Sequence, residues 1–221
     1  MTVSTPSKPT RLTRASLAQG LQHLAERDPD LAGIAARLGA PPLWARRPGF
    51  GTLVHIILEQ QVSLASARAA YLKLLAVASP LTPERFLSLD DTTLKRAGFS
   101  RQKTTYGREL ARAVGSGRLQ LPALARLDDD AVRAALTAVK GIGPWTAEIY
   151  LLMALCRPDA WPTGDLALAS AMQRVKRLPA LPGPAEQQAI AANWHPWRAV
   201  AARLLWHDYL SDLAPRRRRS P

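Results

Sequence analysis

Apolar residues recur along the chain at helical spacing, and turn residues separate the runs. The spacing predicts two short helices at 14–27 and 30–38, the second ended by Gly39. Phe50 to Gln61 is apolar on nearly every side, which predicts a buried helix, and another follows from Ser63 to about Ala78. No segment alternates apolar and polar residues over the length of a strand. We therefore predict an all-α fold.

Small polar residues in front of apolar runs predict where three further helices begin. Thr82 precedes Pro83, an N-cap followed by proline at the first helical position. Asp90 begins a segment that ends at Gly98. Asp128 begins a helix of residues 128–138 with three acids in its first turn, where the helix dipole favours negative charge.

A glycine-rich bend joins the 128–138 helix to a second predicted helix, 144–156, which is the most apolar segment of the chain. Its residues are Val139-Lys140-Gly141-Ile142-Gly143, and we expect both glycines to supply backbone angles that a Cβ would obstruct. Gly143 falls at the N-cap and leaves the amides near Trp145 and Thr146 without a side-chain partner, an arrangement that can receive a phosphate. The alternative is a tight turn in which the glycines serve packing alone.

The segment 100–118 predicts a basic amphipathic helix, with Ser100 as its N-cap. It carries five basic side chains against one acid. One face presents Arg101, Arg108 and Arg112, which suits a polyanion. The alternative is an ordinary solvated charged face.

Charge and cysteine content narrow the partners and cofactors. Thirty Lys and Arg against 17 Asp and Glu leave a formal charge of +13 in 221 residues, which makes nucleic acid the first candidate partner. The one cysteine, Cys156, excludes an internal disulfide and a four-cysteine zinc or iron–sulfur site within the chain. The first residues have no apolar signal region and no apolar run is long enough to span a membrane, so we expect a cytoplasmic protein associated with the nucleoid.

Four segments in order resemble the helix-hairpin-helix DNA glycosylases, and within them the 3-methyladenine DNA glycosylase II group, which removes alkylated bases. The segments, which span roughly residues 48–210, are FGTLVHIILEQQVSLASARAA, AGFSRQKTTYGRELARAV, LTAVKGIGPWTAEIYLLMALCRPDAWPTGDLAL and HPWRAVAARLLWHDYL.

The resemblance implies a two-lobed all-helical fold with the DNA-binding cleft between the lobes. We expect one lobe from residues 14–48 and 170–213, and a middle lobe of residues 49–169 that holds the hairpin at 128–156. Residues 1–13 are expected to be a flexible tail and residues 214–221 a basic tail. We expect the chain to be without the extra N-terminal β-rich domain of some relatives.

By position in the motif, Asp165 matches the catalytic aspartate of the family. Breaking the bond between the sugar and the base builds positive charge on the sugar, which a fixed carboxylate stabilises. An alkylated base is cationic and leaves readily, so one carboxylate is enough. The alternative for Asp165 is an N-cap for a helix starting near Leu166, and both roles are compatible.

The resemblance also assigns the residues that hold the base. Trp145 and Trp206 match pocket tryptophans of the family, while Ile149 stands where some relatives stack a tyrosine, so Tyr150 is an open substitute. Superfamily members that also cut the backbone have a lysine where this chain has Trp145, which implies a glycosylase without lyase activity. We interpret Trp194 and Trp197 as core residues.

Further contacts to DNA are implied at the hairpin and at the end of the Phe50 helix. Gln60 and Gln61 occupy the region from which relatives insert a side chain into the duplex, and an ordinary helix-end amide is the alternative for Gln61. The DNA-binding set is Gly141, Gly143, Trp145, Thr146, Gln60, Gln61, Arg101, Arg108 and Arg112. Family hairpins can bind a monovalent metal ion, here at the backbone of Val139, Lys140 and Ile142.

The resemblance therefore predicts a monofunctional DNA glycosylase of the 3-methyladenine type that hydrolyses the N-glycosidic bond in base excision repair. The expected partner is double-stranded DNA with a damaged base that flips into a pocket. We expect a monomer without a cofactor, apart from the hairpin cation. Two alternatives stay open: a glycosylase for deaminated or oxidised purines, and a DNA-binding protein without catalysis.

Overall fold

The computed structural model describes residues 11–213, and the regular elements in this range are all helical. The all-α prediction is confirmed. The α-helices of the described range are α1 (Arg14–Arg27), α2 (Pro29–Leu38), α3 (Phe50–Glu59), α4 (Leu64–Val77), α5 (Pro83–Leu87), α6 (Asp91–Arg96), α7 (Arg101–Gly115), α8 (Asp129–Thr137), α9 (Pro144–Ile149), α10 (Leu166–Val175), α11 (Pro184–Ala192) and α12 (Arg198–Leu213).

Side-chain caps begin these helices where the sequence predicted them. The hydroxyls of Thr82 and Ser100, and the carboxylates of Asp90 and Asp128, each accept a hydrogen bond from a first-turn amide. Ser63 caps α4 in the same way. These local signals explain why the predicted and observed helix starts agree to within a residue or two.

The expected single helix over residues 144–156 is wrong. The α-helix ends at Ile149, and Tyr150–Ala154 form a π-helical turn in which the Leu155 N–H donates to the Tyr150 carbonyl at 3.0 Å. A 3₁₀ helix at Leu121–Arg126, which the sequence analysis did not predict, precedes α8. A uniformly apolar segment carries no periodic signal that separates a π turn from an α turn.

Most of both predicted tails lies outside the described residues, namely 1–10 and 214–221. The described chain differs from the expected tail at its first residues. Leu12 is 1% exposed, and its N–H donates to the Cys156 carbonyl at 2.7 Å. Thr13 forms a reciprocal capping box with Ser16 at the start of α1. An apolar anchor and a cap thus bring residues 12 and 13 into the fold.

The chain divides into two compact units, which we call the chain-end unit (Met1–Trp44 with Cys156–Pro221) and the middle unit (Ala45–Leu155). The expected boundaries lay after residues 48 and 169, so residues 45–48 and 156–169 each fall in the other unit from the one expected. For residues 156–169, contacts with the C-terminal segment explain the difference. The Ala199 N–H donates to the Pro158 carbonyl at 3.0 Å, and Asp159 accepts from Arg198 Nε at 3.0 Å.

In the chain-end unit, α12 packs against α1, α2, α10 and α11. The same unit contains a charged cluster: the Asp28 carboxylate accepts from Lys176 Nζ and from Trp194 Nε1, each at 2.7 Å. Trp194 and Trp197 are 2% and 8% exposed, which confirms that both are core residues. Burial alone would raise the pKa of Asp28, but these two donors hold it below its ordinary value.

In the middle unit, α3 is the central helix and packs against α4, α7 and α9. Its apolar side chains are buried on all sides, as its sequence predicted. Phe50, Phe86 and Phe99 form an aromatic cluster with ring centroids 5.6–6.0 Å apart. Among the described residues, no helix is long and apolar enough to cross a membrane.

Candidate functional site

Asp165 lies at the end of the loop that follows Cys156 and is half-buried at the N-cap of α10. Its Oδ1 accepts from the Leu168 N–H at 2.9 Å, which confirms the capping role. The same oxygen accepts from Trp206 Nε1 at 3.2 Å. Two N–H groups from different segments therefore hold this carboxylate in one orientation.

The backbone of the residue before Asp165, Gly164, is also fixed. Gly164 has φ of 82°, a backbone conformation that favours glycine. Its N–H donates to the side-chain oxygen of Gln187 at 2.9 Å, and the Gln187 amide donates in turn to the Pro182 carbonyl at 3.0 Å. Because Gln187 is buried, this amide is a rigid support for the residue before Asp165.

Trp206 lies on α12 and is 8% exposed. Its ring packs edge-on against Trp44, with centroids 6.5 Å apart and planes at 72°. The small exposed fraction and the hydrogen bond to Asp165 give Trp206 a direct role in orienting the carboxylate. As folded, little of its ring is open to receive a base.

The other predicted pocket residues lie in the middle unit. Trp145 is half-buried at the second position of α9. Ile149 is 2% exposed and Tyr150 is fully buried, and the Tyr150 hydroxyl accepts from the Gly49 N–H at 3.1 Å. Tyr150 therefore offers no ring face in this structure, which argues against it as a substitute for the stacking tyrosine. The physical reason is that the π turn faces the core.

The two hairpin glycines serve different ends. Gly141 has φ of 95°, and a Cβ there would lie 2.1 Å from Cγ of Tyr106, so both the angle and the space require glycine. Gly143 has φ of −89°, which any residue adopts, and a Cβ there would meet nothing within 4 Å. The expectation that both glycines supply restricted angles is thus wrong for Gly143.

Gly143 is nevertheless an exposed N-cap without a side-chain hydrogen bond, as predicted. Ser or Asp at this position would stabilise the helix, and the fold leaves room for either. Glycine therefore keeps the first-turn amides open to approach from outside. Thr146 is buried, whereas Trp145 is half-buried.

Gln60 and Gln61 have opposite surroundings although they are neighbours. Gln60 Nε2 donates to the Gly141 carbonyl and to the Thr146 hydroxyl, each at 3.0 Å. The side chain of Gln60 thus ties the end of α3 to the hairpin. Gln61 is exposed and has φ of 56°, a conformation uncommon outside glycine.

An open groove of about 380 Å³ lies beside the hairpin in the middle unit. Its lining is polar, and it includes amide, ammonium and phenol groups together with the hairpin backbone. The lining residues are Gln60, Gln61, Gln102, Lys103, Tyr106, Gly141, Ile142 and Gly143. Lys103 Nζ donates to the Leu58 carbonyl at 2.7 Å, and burial lowers the pKa of this amine.

The three predicted arginines of α7 are not equivalent. Arg101 and Arg112 are exposed, and Arg112 pairs with Glu109 at 2.8 Å. Arg108 is half-buried and binds the Asp91 carboxylate at 2.6 Å, so its charge is used within the protein. On this helix the structure leaves Arg101 and Arg112 better placed than Arg108 to meet an anion.

The expected cation site is the backbone of the hairpin. The Val139 carbonyl accepts from the Ile142 N–H at 3.0 Å, which leaves one of its two lone pairs for another donor or an ion. Lys140 is exposed. Within residues 11–213, no cluster of three or more His, Cys, Asp or Glu side chains has an arrangement that would hold a metal.

Sequence reasoning overlooked several residues of these sites. Trp44 packs on Trp206, and Tyr106 closes one side of Gly141. Gln187 supports Gly164. A lone tryptophan in the proline-rich linker PPLWARRPG is a visible signal for Trp44, whereas the sequence around Gln187 gives no sign that this glutamine is buried.

Comparison with known proteins places these features in a family. The model of the family described as "HhH-GPD superfamily base excision DNA repair protein" matches residues 54–198. A DNA-3-methyladenine glycosylase of Schizosaccharomyces pombe is 27% identical over 181 residues, which are 78% of this chain and 79% of that protein.

A DNA-3-methyladenine glycosylase of Bacillus subtilis is 29% identical over 123 residues, 56% of this chain. The matched region is only 41% of the length of that protein. The solved structure of the Schizosaccharomyces pombe 3-methyladenine DNA glycosylase Mag1 in complex with abasic DNA superposes with a TM-score of 0.81 at 26% identity. The match covers 85% of this chain and 95% of that one.

Proposed function

The chain belongs to the HhH-GPD superfamily of base excision DNA repair proteins, and on that premise we propose that it is a DNA glycosylase for alkylated bases of the 3-methyladenine type. It hydrolyses the N-glycosidic bond and leaves an abasic site. We propose that it acts as a monomer on double-stranded DNA in the cytoplasm.

One observation carries this proposal above the others: the carboxylate of Asp165 is fixed by the Leu168 N–H and the Trp206 indole N–H. A carboxylate that is already oriented loses little entropy when positive charge develops next to it, so its stabilisation is available in the transition state. The names of the relatives supply the substrate class.

In the proposed reaction, the bond from sugar C1′ to the base nitrogen lengthens and the electron pair leaves with the base. The sugar acquires oxocarbenium character, and the Asp165 carboxylate stabilises that charge. Water then adds to C1′ and loses a proton, for which Asp165 is the proposed acceptor. A ring-alkylated base departs as a neutral molecule, so this reaction needs no second acid.

The absence of a lysine at position 145 supports a glycosylase without lyase activity. Lyases of the superfamily form a Schiff base between that lysine and the sugar, and an indole has no amine to do so. Trp145 is half-buried, and it is a proposed contact to the base or its sugar.

The exposed N-cap at Gly143 supports a phosphate contact at the hairpin. The uncapped amides and the positive end of the helix dipole both favour an anion there. Gly141, Gln61, Arg101 and Arg112 remain proposed DNA contacts around it. Neutral carbonyls are the ligands that replace water around a monovalent cation, so the hairpin backbone fits such an ion as an accessory to phosphate binding.

The decisive experiment compares the wild-type protein with Asp165→Asn on methylated DNA and identifies the released bases. We expect release by the wild type and a loss of at least about 100-fold in the variant, because the amide is neutral but keeps the shape of the side chain. Release of only hypoxanthine or oxidised guanine would contradict the substrate class. DNA binding without release by either protein would contradict catalysis.

A further inference from the structure

Trp44 has a backbone conformation that tryptophan rarely adopts. Its φ is 46°, in the left-handed region, although it is a bulky residue in a linker rather than at a glycine turn. The chain passes from the chain-end unit to the middle unit directly after it. Residues held in such conformations concentrate at functional sites, because selection otherwise replaces them with glycine or asparagine.

A buried arginine fixes the peptide in front of Trp44. Arg203 on α12 is fully buried; its Nε donates to the Leu43 carbonyl at 2.8 Å and its Nη1 to the Ala199 carbonyl at 2.8 Å. Burial lowers the pKa of Arg203 to about 10, so the side chain is still charged at neutral pH. A buried cation is costly, and here it holds the linker in one conformation.

The ring of Trp44 lies next to the carboxylate assembly of the chain-end unit. It packs edge-on to Trp206, with centroids 6.5 Å apart, and to His207, with centroids 6.4 Å apart. Trp206 donates its N–H to Asp165. Of the two indoles, Trp206 is 8% exposed whereas Trp44 is only half-buried. Trp44 is therefore the more accessible of the two indoles, and it packs on the one that is bonded to Asp165.

We propose that Trp44 is a specificity-determining residue whose ring face contacts the extruded base and selects cationic, ring-alkylated bases over neutral ones. This inference rests on the proposed function, since it needs a base to be brought to Asp165. The supporting geometry is internal to the chain-end unit and consists of the left-handed backbone, the Arg203 clamp and the contact with Trp206.

The chemistry of the ring explains the selection. The face of an indole carries negative electrostatic potential, so a base with a formal positive charge gains an attraction that a neutral base lacks. The effect is largest for tryptophan, smaller for phenylalanine and absent for leucine, which has similar apolar character but no ring. A purely structural Trp44 would respond to size and packing instead of to charge.

The test measures binding rather than catalysis. The probe is a DNA duplex in which one 2′-fluorinated nucleoside carries 7-methylguanine; the fluorine slows loss of the base by withdrawing electrons from the sugar. The reference duplex carries guanine at the same position. The preference, defined as the ratio of the two dissociation constants, is measured for wild type, Trp44→Phe and Trp44→Leu.

We expect the wild type to prefer the methylated duplex, and Trp44→Leu to lose roughly 2- to 30-fold of that preference while binding the guanine duplex as before. Trp44→Phe should lie between the two. A wild type without preference, or a Leu variant that keeps it, would overturn the inference. If Trp44→Leu does not fold, Trp44→Phe decides, and a preference equal to that of the wild type would overturn the inference.

The same proteins separate this inference from the proposed function. Asp165→Asn should lose base release from the unfluorinated duplex, and the role of Trp44 is judged only from the preferences of the wild type and the two Trp44 variants. Failure of the wild type to release 7-methylguanine would refute the glycosylase and leave the binding ratio to decide the role of Trp44. If the wild type releases 7-methylguanine and Trp44→Leu keeps the wild-type binding preference, the proposed function stands and only the role of Trp44 is refuted.

Discussion

At the scale of single residues, the side chain of Gln60 holds the hairpin by hydrogen bonds. Its amide joins the Gly141 carbonyl to the Thr146 hydroxyl, and Thr146 is 1% exposed. We infer that Gln60 positions the hairpin backbone rather than contacting DNA directly. Its neighbour Gln61, exposed on the same turn, has the surroundings of a contact residue.

Gln60→Leu should therefore both destabilise the protein and weaken DNA binding. Removing the amide leaves the Gly141 carbonyl and the Thr146 hydroxyl without this donor, at a cost of about 1–3 kcal/mol in the free energy of unfolding. Urea unfolding and DNA titration measure the two effects. Gln61→Asn is the control, because asparagine tolerates the same left-handed backbone; it should change the free energy of unfolding by less than about 0.5 kcal/mol. Equal stability of the two variants would contradict a positioning role for Gln60.

At the scale of elements, two helices of the chain begin with the same dipeptide. Gly143-Pro144 starts α9 and Gly183-Pro184 starts α11, and neither glycine provides a side-chain cap. Both glycines are exposed, both have negative φ, and a Cβ at either would meet nothing within 4 Å. The fold requires glycine at neither position. A difference in DNA affinity between variants at the two positions therefore reports on contact with DNA.

This pair provides a matched test of the hairpin. Gly143→Ser and Gly183→Ser should each raise the free energy of unfolding by a few tenths of a kcal/mol, since serine caps the first turn. Only Gly143→Ser should weaken DNA binding, because its hydroxyl competes with phosphate for the first-turn amides. Thermal unfolding and DNA titration at fixed salt measure the two effects. Equal DNA affinity of the two variants would contradict a phosphate contact at the hairpin.

At the scale of the whole molecule, the chain has a large positive net charge and yet buries two aspartates. The chain carries +13, yet Asp28 and Asp208 are 8% and 2% exposed. Asp208 pairs with Arg37 and Arg174 on neighbouring helices. For Asp208, as for Asp28, burial alone would raise the pKa, but hydrogen bonds from the basic partners lower it.

These lowered pKa values predict a specific acid sensitivity. A carboxyl whose pKa is depressed in the folded state stabilises the fold above its unfolded pKa of about 4, and this contribution is lost as pH falls through the folded value. Asp28→Asn should lower the melting temperature at pH 7, because Lys176 loses its buried partner. It should also flatten the decline in melting temperature below about pH 4. If the melting temperature of Asp28→Asn declines with falling pH as steeply as that of the wild type, groups other than Asp28 cause the acid sensitivity.

Most helix starts were predicted correctly because the interactions that fix them are local. Caps such as Thr82 and Asp128 act within one helical turn, so their residue types are sufficient to place a helix start. The motif around Asp165 likewise predicted its capping position. The π turn at Tyr150 was missed because its apolar neighbours are compatible with either helical form.

The sequence by itself determined the helical class, most helix starts, the uncapped bend at Gly143 and the place of Asp165 ahead of α10. Each depends on residues close together in the chain. Only the tertiary structure decided that Tyr150 is buried, that Gln60 holds the hairpin, that Arg108 is bound to Asp91 and that Trp44 lies beside Trp206. Those outcomes depend on contacts between distant segments, whose distances no local pattern of residue types encodes.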